Sequence, residues 1–403
     1  TSGTTKCPNV NTRRRHCVVP VFGKFRQSPG AVVPRATVLA CALCCLAAGT
    51  VSATEYALLP ALKTDLALES LLLDIAHDGE RLLVAGEQGH ILFSDDSGQS
   101  WVHADVPVSL AITSVAFAGP GQAWATAHKG YLLRSVDNGT TWQVEMTGSD
   151  IARLSVGAIE ERIVALRDAV DKASPENREE IEWVLFDAEF ALEEAQAAID
   201  EGMTAPLLNV WFADNDNGFA MGAYGMVLRT RDGGASWVSE GNRIENPDKY
   251  HFYAITRSDA GTLVLAGEAG TLLRSLDGGN EWERIDSPYA GSFFGAIATS
   301  DGGLLIYGLR GNVFRSMDEG ASWSPVDTGD HRTLMCGTAG DDGSVILAGA
   351  AGAVLRSDDA GTSFSAIPTE GSKVYSGITT APDGRVLLVG FGGISILAGT
   401  NDE

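Results

Sequence analysis

The sequence predicts an all-β protein, a seven-bladed β-propeller that carries an inserted antiparallel α-helical hairpin. Three observations predict this fold. A segment of about 41 residues recurs along the chain, each copy reads as four short strands, and one copy is interrupted by a stretch with a helical apolar period. Units of 40 to 50 residues with about four strands each are typical of propellers.

The repeat is seen in six segments that align without gaps, namely residues 89–101, 130–142, 225–237, 270–282, 311–323 and 352–364. A shortened seventh copy begins at Gly393. The leading glycines are 41, 95, 45, 41, 41 and 41 residues apart. The 95-residue spacing exceeds the common one by 54 residues, so the second unit is followed by an insertion of that length.

Each unit shows β-rich runs between glycine and aspartate turns, which is the signal for short strands. In the fourth unit the predicted strands are residues 252–256, 263–266 and 271–275, with a further strand around Trp282. The seventh copy lacks its fourth strand. We expect residues 56–63 to supply it as an outer strand and so close the ring, with Pro60 tolerated because an outer strand is an edge.

Residues 1–53 are typical of a secretory signal peptide with an upstream extension. They hold seven Lys and Arg residues and no acidic residue, then the apolar run 38–48 and the small-x-small site Val51, Ser52, Ala53. The 11-residue run is too short for a spanning helix, which takes about 20 residues, so the mature chain is not expected to insert into a membrane. Two alternatives stay open: a true start downstream of Thr1, and a lipoprotein processed at a cysteine of this run.

The predicted domains are therefore propeller blades 1 and 2 with the closing strand (54–149), the hairpin (150–203) and blades 3 to 7 (204–403). Removal of the seven leader charges takes the formal net charge from −23 to −30. Such a chain should repel nucleic acid and anionic lipid, so a basic protein partner fits better. Only Cys336 remains after cleavage, so no internal disulfide is expected, and this cysteine is expected to be a buried small hydrophobe.

The insertion carries two apolar seams with spacings of three and four residues, which predict two antiparallel helices in a short coiled-coil hairpin. The seam residues are Val156, Ile159, Ile163, Leu166 and Val170, then Ile181, Leu185, Ala188, Leu192, Ala195 and Ile199. Ser174 and Pro175 are expected to begin the second helix. Its outer face is acidic, and Trp183, Phe186 and Phe190 are the predicted apolar contacts for a partner.

The insertion follows a fourth strand, so it is expected to stand on the face that carries the turns between second and third strands. The same face is expected to hold the other partner-binding candidates, Lys129, Tyr224, Tyr250, His251, Phe293, Arg310, Arg332, Lys373 and Tyr375. Aromatic and arginine residues are enriched at interface hot spots. The alternative for each is an ordinary surface residue.

The turn between third and fourth strands follows the pattern Ser-x-Asp-x-Gly-x-Ser/Thr-Trp, called the Asp box or bacterial neuraminidase repeat. In this motif the Asp accepts hydrogen bonds from its own turn and the Trp packs between blades. The motif indicates fold and says little about function, so its aspartates are expected to be structural. They are Asp96, Asp137, Asp232, Asp277, Asp318 and Asp359.

The units resemble those of the photosystem II stability/assembly factor family over about residues 56–398. That resemblance implies a seven-bladed propeller on the lumenal side of a thylakoid that assists complex assembly without catalysis. The family carries an arginine patch, and the resemblance implies that the arginines recurring at one repeat position correspond to it; they are Arg134, Arg229, Arg274, Arg315 and Arg356. The alternative is that each arginine packs between blades and pairs with a carboxylate.

No catalytic residue, metal ligand set or cofactor motif is predicted, because the histidines outside the leader lack paired ligand spacing and no phosphate loop is present. The sequence therefore predicts a non-catalytic exported scaffold, periplasmic or lumenal, that helps a membrane or envelope complex to assemble. One alternative is a sialidase-like propeller that binds or cleaves glycans, which needs an arginine triad at irregular positions. Another is an accessory subunit of an envelope transporter.

Overall fold

The computed structural model describes residues 59–340, 342–369 and 371–397. The predicted leader, residues 1–53, lies outside them. The described residues form seven antiparallel sheets, six of four strands and one of three, in which strands that follow each other in sequence are neighbours. The predicted propeller with an inserted helical hairpin is confirmed.

The strands of the first three sheets are β1 (Leu72–Asp78), β2 (Arg81–Gly86), β3 (Ile91–Ser94) and β4 (Val102–His103); β5 (Ile112–Phe117), β6 (Ala123–Ala127), β7 (Tyr131–Ser135) and β8 (Gln143–Met146); β9 (Leu207–Phe212), β10 (Gly218–Gly222), β11 (Val227–Thr230) and β12 (Val238–Ser239). Between β8 and β9 lie the helices α1 (Gly148–Lys172) and α2 (Arg178–Asp200).

The strands of the other four sheets are β13 (Phe252–Arg257), β14 (Leu263–Gly267), β15 (Leu272–Ser275) and β16 (Glu283–Arg284); β17 (Phe293–Ala298), β18 (Leu304–Gly308), β19 (Val313–Ser316) and β20 (Ser324–Val326); β21 (Leu334–Ala339), β22 (Val345–Gly349), β23 (Val354–Ser357) and β24 (Ser365–Ala366); β25 (Tyr375–Thr380), β26 (Val386–Gly390) and β27 (Gly393–Leu397).

The second strand of a blade is buried on both faces. All five residues of β6, β10, β14, β18 and β22 are buried, so these strands show none of the apolar-polar alternation of a half-exposed sheet. A neighbouring blade covers each face. The hydrophobic core is therefore divided into clusters that lie between successive blades.

The ring closes between the first and the seventh blade. Ser376 Oγ donates to the carbonyl of Leu72 at 2.8 Å, and His77 Nδ1 lies 2.8 Å from Thr379 Oγ1. Leu387 and Val389 of β26 pack into the apolar cluster of the first blade. First-strand contacts and a shared core therefore join the two ends of the propeller.

The structure corrects the prediction that residues 56–63 form a closing strand. Residues 59–63 form no strand, and the seventh sheet has three strands among the described residues. Instead, Ala61 N donates to Val106 O at 3.0 Å, and Ala61 packs against the core between the first two blades. The chain then enters the 3-10 helix Asp65–Glu69, which leads directly towards β1. Residues 56–58 lie outside the described residues.

The Asp boxes are structural, as the sequence predicts. In the second blade, Asp137 accepts hydrogen bonds from Ser135 Oγ at 2.8 Å and from Thr141 N at 2.8 Å. The same type of bonding, led by Ser100 and Ser236, lowers the pKa of Asp96 and Asp232 to about 2. The carboxylate thus holds its own turn closed.

The residue after the box aspartate adopts a left-handed conformation, with φ of 56° at Ser97 and 61° at Asn138. This conformation is uncommon for residues other than glycine. At five blade junctions the carbonyl of this residue accepts a hydrogen bond from an arginine of the preceding blade; the pairs are Arg81–Asn138, Arg229–Gly278, Arg274–Glu319, Arg315–Ala360 and Arg385–Ser97.

Three of the five repeat arginines, Arg229, Arg274 and Arg315, therefore join blades rather than form an exposed patch. Arg229 is 4% exposed and also donates to Gly279 O at 2.6 Å. Arg274 and Arg315 pair with Glu283 and Asp301 of their own blades. The two other members lie at junctions without this bond: Arg134 donates to Gln122, and Arg356 pairs with Asp358.

Substituting Met for Arg229 tests the junction bond. Arg229→Met removes the donor to both carbonyls and leaves that of the buried Gly279 without a partner, so we expect the free energy of unfolding to fall by about 3 kcal/mol. Arg356→Met is the matched control: it has the same repeat position, but its carboxylate partner is exposed, so the expected loss is under about 1 kcal/mol. Denaturant unfolding followed by circular dichroism measures both, and equal losses would contradict the assignment.

A buried carboxylate lies at the first junction. Asp74 of β1 accepts hydrogen bonds from Ser114 Oγ at 2.7 Å and Val115 N at 2.9 Å, both in the next blade. Burial raises the pKa of Asp74 from 3.8 to about 6, although these donors act in the opposite direction. At neutral pH the folded protein therefore carries the cost of an ionised buried group.

This cost predicts a pH dependence of stability. As pH falls through 6 the folded state takes up a proton on Asp74, whereas the unfolded state does so only near pH 4, so stability rises over this interval. Between pH 7 and pH 4.5 we expect the wild type to gain about 2 kcal/mol relative to Asp74→Ala. Unfolding of both proteins at the two pH values measures the difference, and parallel pH profiles would refute the prediction.

Candidate interaction face

The helical hairpin begins at a well-formed helix start. Thr147 Oγ1 accepts from Asp150 N at 3.3 Å, and the Asp150 carboxylate accepts from Thr147 N at 2.8 Å, which is a capping box. The structure corrects the predicted start of the second helix, which the sequence analysis places at Ser174 and Pro175. α2 begins at Arg178, because Ser174 and Asn177 close a turn in which Asn177 N donates to Ser174 O at 3.1 Å.

The predicted seam residues lie between the two helices. Val156, Ile163 and Ala188 are buried, and the other seam residues are partly buried. The two helices therefore bury their apolar faces against each other and leave the outer face of α2 to solvent.

The hairpin is fixed to the third blade. Ile151 is fully buried in the core beside Trp124 and Leu207. Further along α1, Asn242 Nδ2 donates to Ala158 O at 2.9 Å. The Lys249 ammonium pairs with Glu194 of α2 at 2.5 Å.

The hairpin thus does not stand up from the face of the propeller, contrary to what the sequence analysis expects. Its base starts at the expected face, because Gly148 lies against the turn of Lys129. From there α1 runs along the outer strand of the third blade, where Ser155 Oγ lies 3.2 Å from Ser239 Oγ. A groove of about 950 Å³ remains between α1 and this blade edge, lined in part by Leu154, Ala158 and Val238.

The outer face of α2 carries an aromatic stripe, defined as Trp183, Phe186 and Phe190. Their exposed fractions are 64%, 59% and 55%, and the rings of Trp183 and Phe186 meet edge to face with centroids 6.2 Å apart. The sequence analysis names all three residues. Their exposure agrees with the outward positions of the heptad pattern.

We call the face with the turns between second and third strands the hairpin-side face. Each such turn has a left-handed residue at its tip, and Gln88, Lys129, Tyr224 and Arg310 are the large ones, all exposed. The loops between blades lie beside these turns: Gly352 N, for example, donates to Lys373 O. The loops between blades therefore lie on the hairpin-side face, as the sequence analysis expects.

A row of aromatic rings runs inward from Tyr224 on this face. Its centroid distances are 5.1 Å from Tyr224 to His251, 6.2 Å from His251 to Tyr253 and 5.2 Å from Tyr253 to Phe294. His251 Nδ1 also bonds to the Glu268 carboxylate, which lowers the pKa of Glu268. Sequence reasoning named Tyr224 and His251 but missed Tyr253 and Phe294, which follow the first residue of β13 and β17.

The structure contradicts the prediction of two other contact residues, because both are buried. Phe293 is fully buried and Tyr375 is 4% exposed. Each begins the first strand of its blade opposite a glycine, Gly308 or Gly390, and its ring fills the space between blades. Tyr250 is half-buried.

The predicted basic residues do not form one cluster. Arg332 is neutralised by Asp330, whose two carboxylate oxygens each lie 3.0 Å from Arg332 Nε. Lys373 Nζ donates to Ser395 at 2.9 Å. Lys129 lies in the second blade and Arg310 in the fifth, so ring geometry separates them.

No helix among the described residues is long and apolar enough to cross a membrane. Within the same residues, no group of His, Cys, Asp and Glu side chains is arranged to hold a metal ion.

Comparison with known proteins shows a resemblance over part of the chain. The sequence profile of the family described as photosynthesis system II assembly factor YCF48 matches residues 189–326. The photosystem II assembly lipoprotein Ycf48 of Synechococcus sp. (strain CC9902) is 37% identical over 86 residues, which are 21% of this chain and 25% of that protein. This chain resembles the Ycf48-type assembly factors. The match spans only a quarter of the length of that curated Ycf48.

Solved structures agree on the fold. A YCF48 bound to a D1 peptide superposes with a TM-score of 0.55 at 17% identity, covering 86% of this chain and 98% of that one. YCF48 from Cyanidioschyzon merolae gives 0.55 at 16% identity, covering 82% and 95%. A streptogramin B lyase gives 0.57 at 16% identity, covering 84% and 95%. At these identities the likeness shows the propeller alone.

The anchorage of the hairpin can be tested at Ile151. Ile151→Ala opens a cavity in the core that the hairpin shares with the second and third blades, so we expect the free energy of unfolding to fall by about 3 kcal/mol. Val164→Ala, on the same helix but 67% exposed, is the control and should stay within about 0.5 kcal/mol of the wild type. Denaturant unfolding measures both, and a tolerant Ile151 would mean that the hairpin is not anchored there.

Proposed function

We propose that this chain is a non-catalytic exported scaffold that binds a protein partner and assists the assembly or stability of a membrane or envelope complex. The contact surface is the hairpin together with the hairpin-side face. The site of action is the periplasm, or the thylakoid lumen where the host is photosynthetic.

The observation that carries this proposal is the aromatic stripe on a fixed hairpin. Large apolar side chains grouped on a surface mark interaction sites more often than isolated ones do. Ile151, Asn242 and Lys249 hold the hairpin against the ring. A stripe held in place before binding loses little conformational freedom when a partner docks, and this favours affinity.

The names of the relatives point the same way. The Synechococcus relative is named an assembly lipoprotein, and a solved YCF48 is described as bound to a D1 peptide. By similarity, we propose a protein partner for this chain also, in a membrane complex whose identity the host decides.

The glycan alternative receives less support. A sialidase-type site takes the carboxylate of its substrate with arginines that face the channel. Here the five repeat arginines are engaged at blade junctions or with carboxylates of their own blades, or lie over a tryptophan as Arg134 does. They are therefore not available as such a triad.

Affinity capture from solubilised membranes of the source organism tests the proposal. The bait is the mature chain, compared with a variant in which Gly-Ser-Gly-Ser replaces residues 160–195. This variant keeps Ile151 and the base of the hairpin, so the ring should stay folded, which a thermal melt checks. We expect the intact chain to retrieve the subunits of one membrane complex and the shortened variant to lose them. Equal retrieval by both would refute the hairpin as the contact surface.

The captured set also separates the alternatives. Retrieval of transporter subunits would favour the accessory-subunit role over assembly of another complex. Turnover of sialosides or aryl glycosides by the purified chain would refute the non-catalytic proposal.

A further inference from the structure

We infer that the aromatic stripe of α2 binds a cationic amphipathic helix of a protein partner; this inference rests on the proposed scaffold function and names the chemistry of its partner.

The spacing of the stripe matches helix packing. Trp183, Phe186 and Phe190 are three and four residues apart, which is the spacing of a coiled-coil seam. The other seam of α2, which contains Ile181 and Ala188, is already occupied by α1. α2 therefore carries two seams on different sides and presents one of them to solvent, where a third helix can insert its apolar side chains.

The charges around the stripe define the partner further. Glu179 and Glu180 precede Trp183 by four and three residues, Asp187 follows it by four, and Glu193 follows Phe190 by three. Residues at these separations are neighbours on a helix surface. All four are exposed, and none forms an ion pair with another described residue.

Other acids of the same helix do have partners. Glu182 pairs with Arg178, and Glu189 pairs with Arg167 of α1. Glu194 is held by Lys249 of the ring. The carboxylates beside the stripe are thus the ones left for a partner, and Lys or Arg residues that flank the apolar side of an incoming helix would meet them.

Two other occupants fit less well. A second copy of this chain would bring the same four carboxylates to the stripe, and like charges that face each other at an interface oppose binding. An anionic lipid surface would be repelled by the same groups and by the net charge of the chain. The stripe therefore suits a basic helix better than either.

Fluorescence anisotropy with labelled peptides tests the inference on the mature chain. The probe is an 18-residue amphipathic helix of leucine and lysine. One comparison peptide has the same composition in scrambled order, and another has glutamate in place of lysine. We expect the amphipathic leucine-lysine peptide to bind best. Its affinity should fall by about tenfold or more in the Trp183→Ser/Phe186→Ser/Phe190→Ser variant.

A second variant tests the charges and keeps the stripe. Glu179→Gln/Glu180→Gln/Asp187→Asn/Glu193→Gln should weaken binding of the leucine-lysine peptide and flatten its dependence on salt. Val164→Ser is the matched control, since Val164 is an exposed apolar residue of α1 outside the stripe, and it should bind as the wild type does. Circular dichroism checks that each variant keeps its helices.

The inference is overturned if the scrambled peptide binds equally well, or if the stripe variant binds the amphipathic peptide like the wild type. Stripe-dependent binding to vesicles with anionic lipid, or stripe-dependent dimerisation in sedimentation, without preference for the basic peptide, would also overturn it. If the peptide preference holds while the shortened hairpin still captures every partner, the proposed function fails and the preference of the stripe stands. If capture depends on the hairpin but the peptides are not distinguished, only the present inference fails.

Discussion

The ring depends on a hydrogen bond between an arginine of one blade and a backbone carbonyl of the next, that of the residue after the Asp-box aspartate. The Asp box makes this bond available, because its carboxylate holds a turn in which the following residue is left-handed. The same position accepts the bond at five junctions, whether it is glycine, serine, asparagine, glutamate or alanine. Where Arg229, Arg274 or Arg315 makes the bond, the aspartate and the arginine of the repeat stabilise the same junction, and neither needs a role in chemistry to explain its presence.

The junction between the second and third blades is built differently. There Arg134 stays on its own blade and lies over Trp124, whose ring also packs against Trp237 and Phe212. Trp124 reaches the turn at Gly234, where a side chain would collide with it. This is also the junction that carries the hairpin. Here an aromatic cluster and Ile151 pack between the two blades in place of the arginine bond. The insertion therefore adds to the hydrophobic core at the junction from which it leaves the propeller.

Most of the fold could be predicted from the sequence, because a repeat fixes the blade spacing and a 54-residue excess locates the insertion. The site was predicted less fully. The exposure of Trp183, Phe186 and Phe190 follows from helical period alone. By contrast, the burial of Phe293 and Tyr375 depends on the glycines opposite them, which belong to a different strand. The failure of residues 59–63 to form an outer strand has a similar origin, since Ala61 finds its hydrogen bond on the neighbouring blade.

The two ends of the insertion meet at its base. A side chain at Gly148 would come within 2.8 Å of Thr204, so the chain leaves the propeller and returns to it at nearly the same point. The length of this arm, the helical hairpin, does not depend on the propeller. Whole helical turns can be added to or removed from the far ends of both helices together without shifting any blade. The length and the surface of this arm can therefore change while the ring that supports it stays the same.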